Sequence, residues 1–370
     1  MIRLLATGDV GANRADLASM FSGCRDALGQ GDIVFGQLET TVTDRGARSP
    51  NAKLAMRAPP EMAGAVRNAG YHAMSFAGNH CLDWGYEGFL DTFRHMEAAG
   101  VSLCGAGHDL REASRPLTMQ ADGIRVAIFA CSSILPEGYG ATDNRPGCMP
   151  LRAHTLYQPV EPDQPGTPAR IVSYPHRGDL DALLSGIKEI RGAADVILVS
   201  IHWGLHMVEA EIADYQRIIA HAVIDAGAHA ILGHHPHILK GIELYRDAPV
   251  FYSLGNFALE QPHIWDAAIT QTESFRHLAS LNPGWDSKRT YMLPENTRMT
   301  GIAALHLSKR GLERTEFLPA WIGDDSSPEM LAPSNKWFAR TREYLQQIST
   351  DAGLKTRFET ETSGLLIAAA

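Results

Sequence analysis

The sequence has few cysteines, no basic surplus and no long apolar run, and each shortage argues against a class of protein. Its five cysteines (Cys24, Cys81, Cys104, Cys131 and Cys148) are odd in number and scattered, with no Cys-x-x-Cys spacing. Neither a disulfide framework nor a cysteine-built zinc site is indicated, and a reducing cytoplasm is the expected home. Lys and Arg total 33 against 42 Asp and Glu, a net charge of -9. Nucleic-acid backbones need a basic face, so no nucleic-acid partner is expected. No stretch approaches the roughly 18 apolar residues that cross a bilayer, so no membrane span is expected. Met1 to Asp9 holds no long apolar leader and runs straight into a strand, which reads as a chain that is not secreted. There is no Gly-rich phosphate loop of the P-loop type, no internal repeat and no low-complexity tract.

What remains is an ordinary globular balance, 45% hydrophobic and 20% charged residues over 370, enough for a full core. The pattern alternates strand, loop and helix. Short apolar runs at 2–6, 33–35, 73–76, 101–104, 126–130, 196–201, 230–232 and 250–252 read as buried strands. Helices are predicted over 60–69, 86–99, 179–192, 213–226 and 336–348, several closed by glycine. Residues 136–178 and 261–300 lack strong periodicity and read as surface excursions that shape a pocket. Two late strands fall near 301–307 and 314–318.

Many of these strands end in a loop carrying Asp, Glu, Asn or His: Asp9, Glu39, Asn79-His80, His202 and His235-Pro236-His237. In α/β sheets, sites assemble outside the carboxyl ends of strands, so ligands distant in sequence can converge. Seven of the sixteen histidines fall within residues 202–237, several times what an even spread would place there. Imidazole is the commonest metal ligand at neutral pH, and carboxylate and amide oxygens complete sites for Mn, Fe, Zn or Mg. His221 and His229 lie on or beside a helix and read as packing. In an extended loop the adjacent His234 and His235 point opposite ways, whereas His235 and His237 share one side; that pair is preferred.

The segments GDV at residue 8, LET at 38, GNHCLDWG at 78, HWG at 202, GHHPH at 233 and YSLGNF at 252 resemble the CapA-type family of poly-gamma-glutamate capsule synthesis proteins. That family is in turn similar to calcineurin-like metallophosphoesterases. The resemblance implies a four-layer α/β/β/α sandwich of two mixed sheets flanked by helices. It implies a single domain over 1–330, followed by a helix and tail over 331–370. It also implies one or two divalent ions. Asp9, Glu39 and His237 would hold one, and Glu39, Asn79, His202 and His235 the other, with Glu39 bridging. His80 would be the catalytic acid/base. Gly11 stands where metallophosphoesterases carry a ligand histidine, so the Asp9 half is short of an imidazole.

Asp83 reads either as the orienting partner of His80 or as a helix N-cap. Lys53 and Arg57, in AKLAMRAPP, together with His206 and Asn256, are candidates for substrate binding; an Arg fork suits carboxylate or phosphate. Cys81 and Cys131 read as small hydrophobes. The function expected is a metal-dependent hydrolase acting on an amide or ester bond of a small anionic molecule, for which the resemblance points to a gamma-glutamyl amide, with a phosphoester, or a transfer or scaffold role in polymer synthesis, as alternatives.

Overall fold

The computed structural model describes the whole chain except Asn282 and Pro283, and for Ser274, Leu278 and Leu281 the backbone alone. Two mixed sheets form its centre. The first has ten strands, and its main path runs Thr356–Thr360, Leu365–Ala369, Gly311–Ile322, Met299–Ser308, Ile2–Gly11, Ile33–Leu38, Ala73–Ser75 and Ser102–Cys104; Asn256–Leu259 pairs with the strand holding Asp9. The second has six, in the order Ile242–Tyr245, Ala248–Phe251, Ala230–His234, Val196–His202, Ile124–Ser132, Leu117–Ala121.

Alternation along the second sheet's strands shows how the layers stack, because successive side chains leave a strand on opposite faces. Val126, Ile128, Val196, Leu198 and Leu232 join the large core shared with Leu4, Val34 and Leu305 of the first sheet. Ala127, Phe129, Ile197, Val199 and Ile231 join a second core with Leu183, Ile187, Ile219 and Val223. Those last four lie on helices Arg177–Ile190 and Asp214–Ala226. On the far side, Met62, Val66, Phe89 and Met96 of helices Met62–Ala69 and Gly85–Ala98 close the large core. The order is helix, sheet, sheet, helix, as expected.

Most predicted strands and helices fall within about two residues of the observed ones, but the first strand runs on to Gly11, the second to Leu38, the last predicted strand spans Gly311–Ile322 and the final helix reaches Asp351. Several features went unforeseen, among them the edge strands Leu117–Ala121 and Ile242–Tyr245. Residues 153–159 pair with 169–175 as an exposed two-stranded ribbon, so only the start of the 136–178 excursion reaches the pocket. The 261–300 excursion, described apart from 282 and 283, carries a helix over Glu273–Leu281. Beyond the Lys336–Asp351 helix, the chain forms a hairpin that extends the first sheet. All five cysteines are buried and free. No helix among the described residues is long and apolar enough to cross a membrane.

Candidate metal centre

The parallel strands of both sheets end on one rim, and that rim gathers the polar loops. Asp9 lies near the end of the first strand, Glu39 follows Leu38, and Asn79 and His80 follow Ala73–Ser75. His202 and His234 are the last residues of two adjacent parallel strands and sit in register, so their side chains share a face. Asn256 is in register with Asp9. The GDV and YSLGNF segments fit each other closely. The Asp9 amide donates to the Gly255 carbonyl at 3.0 Å, and a Cβ on Gly8 would lie 1.9 Å from that oxygen.

Carboxylate oxygens of Asp9 and Glu39 and a ring nitrogen of His202 all lie within 4.8 Å of one another. His202 Nε2 is 2.7 Å from Asn79 Oδ1 and 3.6 Å from Glu39 Oε1. His237 Nδ1 is 3.2 Å from Asp9 Oδ2 and 2.7 Å from Asn256 Oδ1. The ring centroids of His202 and His235 are 5.0 Å apart.

Both carboxylates are wholly buried, and none of their four side-chain oxygens has a hydrogen-bond partner. An uncompensated buried carboxylate costs several kcal/mol, and a bound cation would offset that cost. Burial alone would raise the Asp9 carboxyl, but the His234 and His237 rings hold it below the usual range. Glu39 is pushed well up by burial and then by the Asp9 and Asp83 carboxylates. Burial drives His202 and His235 well down, and His206 down to about 3, with His237 adding to it. Neutral imidazoles beside carboxylates are the protonation state that ligates a cation, and a cation would draw Glu39 back to its ionised form. The donor set fits a divalent ion: Asp9, Glu39, Asn79, His202, His235 and His237 could all contribute.

The GHHPH loop departs from the extended geometry assumed for it. His235 and His237 have φ of 96° and 58°, a conformation that costs a non-glycine residue about 1–3 kcal/mol and clusters at functional sites. The loop is pinned where the Trp203 and Met207 amides donate to the His234 and Pro236 carbonyls. The left-handed turn breaks simple alternation. His234, taken from the sequence to face away, is fully buried with Nδ1 3.5 Å from Asp9 Oδ1. Neither of its ring nitrogens has a hydrogen-bond partner. Its signal in the sequence was its place at the end of a strand, beside His202 in the next.

His80 Nδ1 lies 2.6 Å from Asp83 Oδ2, and its Nε2 is 4.0 Å from Glu39 Oε1. Asp83 also accepts from the Met56 amide and the Tyr139 hydroxyl. The following helix begins at Gly85 with Trp84 at its N-cap position and no side-chain cap, so Asp83 is not its cap. The carboxylate fixes the imidazole with Nε2 free.

A cavity of about 770 Å³ opens in front, lined by Lys53, Asn79, His80, His206, His235, His237 and Asn256, among others. Arg57 is not among the lining residues; its guanidinium lies 3.8 Å over the Trp84 ring. Stacking on an aromatic face is the arginine's alternative to an anion. Trp203 is packing, fully buried with its indole N–H donated to the Tyr252 carbonyl. Burial pushes the Cys81 thiol well above its usual range, which fits a structural role.

Over 330 residues the chain is 25% identical to "PGA biosynthesis protein CapA" of Bacillus subtilis (strain 168), covering 89% of this chain and 70% of that protein. It is 27% identical to "Capsule biosynthesis protein CapA" of Bacillus anthracis, over 70% of this chain and 58% of that one. The solved NAD nucleotidase of Haemophilus influenzae aligns over 94% of this chain and 62% of that chain, at 13% identity and a TM-score of 0.40. Residues 3–261, which hold every ligand position above, match the sequence pattern described as bacterial capsule synthesis protein PGA_cap, and the chain belongs to that family.

Proposed function

We propose that this chain is a metal-dependent hydrolase that cleaves an amide or ester bond of a small molecule held in the cavity before His80. One observation carries the reading: two wholly buried carboxylates, Asp9 and Glu39, have no hydrogen-bond partner and stand among neutral imidazoles. One or two divalent ions (Mn, Zn, Fe or Mg) held by Asp9, Glu39, Asn79, His202, His235 and His237 would lower the pKa of water and polarise the bond under attack. His80 supplies the proton. Asp83 takes the Nδ1 hydrogen, so Nε2 is the nitrogen that exchanges a proton with the leaving group. Asn256, bonded to His237 Nδ1, fixes that ring's orientation.

The test measures bound metal in the purified protein and assays it with added Mn against amides, esters and phosphoesters. Metal-loaded protein that turns over none of them would sink the hydrolase reading, and a preference for phosphoesters would redirect it. The relatives' names favour a second reading, a part in making a capsule polymer without hydrolysis. Survival of the biological function in His80→Ala would favour that one.

A further inference from the structure

The cavity lining is of two kinds. Asn79, His80, His235 and His237 make up its polar part. Trp265, Ile269, Phe275 and Trp285 of the 261–300 segment, with Leu54 and Ile134, make up an apolar part. That part is built. Ile269 and Phe275 are buried with Met292 in a hydrophobic cluster of their own, against which Leu54 and Trp285 pack. Phe275 and Trp285 have ring centroids 5.1 Å apart. Both indole N–H groups are turned to the protein, Trp265 to the Glu260 carbonyl at 3.1 Å and Trp285 to Met207 Sδ at 3.3 Å. The rings are therefore held in place, with their polar atoms spent elsewhere.

The charges point the same way. Among the described lining residues Lys53 is the only lysine or arginine. Of the three lining carboxylates, Asp83 is bound to His80, Glu260 is paired with Arg14, and Glu137 adds a further negative charge. A chain of carboxylates calls for a cation near each group it brings in, and this lining offers one side-chain cation, Lys53.

Resting on the metal-centred reading above, we propose that the substrate carries a bulky apolar group, of the size of an aromatic ring, next to the bond that is cut. The 261–300 segment is what selects it. Burying such a group gains roughly ten- to hundredfold in affinity.

Phosphonates test this without turnover, since they place one anionic head at the metal and vary only the tail. Binding of methylphosphonate, benzylphosphonate, 4-phenylbutylphosphonate and tri-γ-glutamate to the Mn-loaded full chain is measured by calorimetry. The expected result is at least about tenfold tighter binding of a phenyl-bearing compound than of methylphosphonate. That ratio should shrink to within about twofold in Trp285→Ala, with Trp265→Ala as the second variant should the first fail to fold. Equal binding of the three phosphonates, or tighter binding of tri-γ-glutamate than of any of them, overturns the apolar selection and leaves the metal-centred reading standing. No binding of any phosphonate by protein that holds its metal overturns both.

Discussion

At the scale of single residues, the chemistry depends on which partner each polar group has. Glu39 has no hydrogen-bond partner and sits in a crowd of carboxylates. Glu39→Gln is expected to fold and to lose most of the bound metal, read as metal per chain by elemental analysis. His80 is a different case, because its proposed role is proton transfer and not ligation. His80→Ala should keep its metal and lose about 100- to 10,000-fold in kcat, the usual weight of a general acid or base. If metal and activity fall together, His80 is a ligand. The sequence made these residue types visible because they follow strands. It did not show that Arg57 stacks on Trp84, since nothing in a linear pattern says which aromatic ring a loop arginine will meet.

At the scale of elements, close approach and anchoring decide what can change. Gly8 lies against the Gly255 carbonyl, and any Cβ there forces the strand and the YSLGNF turn apart. Gly8→Ala should destabilise by about 1–3 kcal/mol or more. Gly64 lies in the Met62–Ala69 helix, and a Cβ added to it would have nothing within 4 Å, so Gly64→Ala should stabilise by about 0.4–1 kcal/mol. Paired thermal melts measure both. The exposed ribbon over 153–175 is tied to the next helix by Asp179, which accepts from the Arg152 amide and guanidinium. Burial alone would raise this carboxyl, but Arg152 holds it below the usual range. A depressed pKa contributes stability above the unfolded value near 4 that is lost as pH falls through the folded value. Asp179→Asn should therefore cost stability at neutral pH and flatten the acid limb of a stability–pH curve. The periodicity of the core strands was legible because they are buried on both faces; the ribbon was not, because its exposed strands bury too little to leave an apolar signature.

At the scale of the whole molecule, the layer order followed from alternating strands and helices. The apolar wall of the cavity did not. Trp265, Phe275 and Trp285 are spaced about ten residues apart and match neither a helical nor a strand period, so their convergence is a tertiary fact. Binding of a ligand to the folded state alone adds about 2.7 kcal/mol when it is present at a hundred times its Kd. Stripping the protein with a chelator should lower its melting temperature, and returning Mn should restore it. A melting curve indifferent to both treatments would mean that the buried carboxylates are balanced without a cation.

The rim that gathers these loops draws on both sheets. Asp9, Glu39 and Asn79 come from strands of one, and His202, His235 and His237 from strands of the other. A cation shared among them would act as a rivet between the two layers. Its grip is assembled from residues more than two hundred positions apart, so no partly formed sheet can hold it. On this reading, retained metal would report that both layers have come together, and a chain that misfolds one of them would announce the fault by losing its ion.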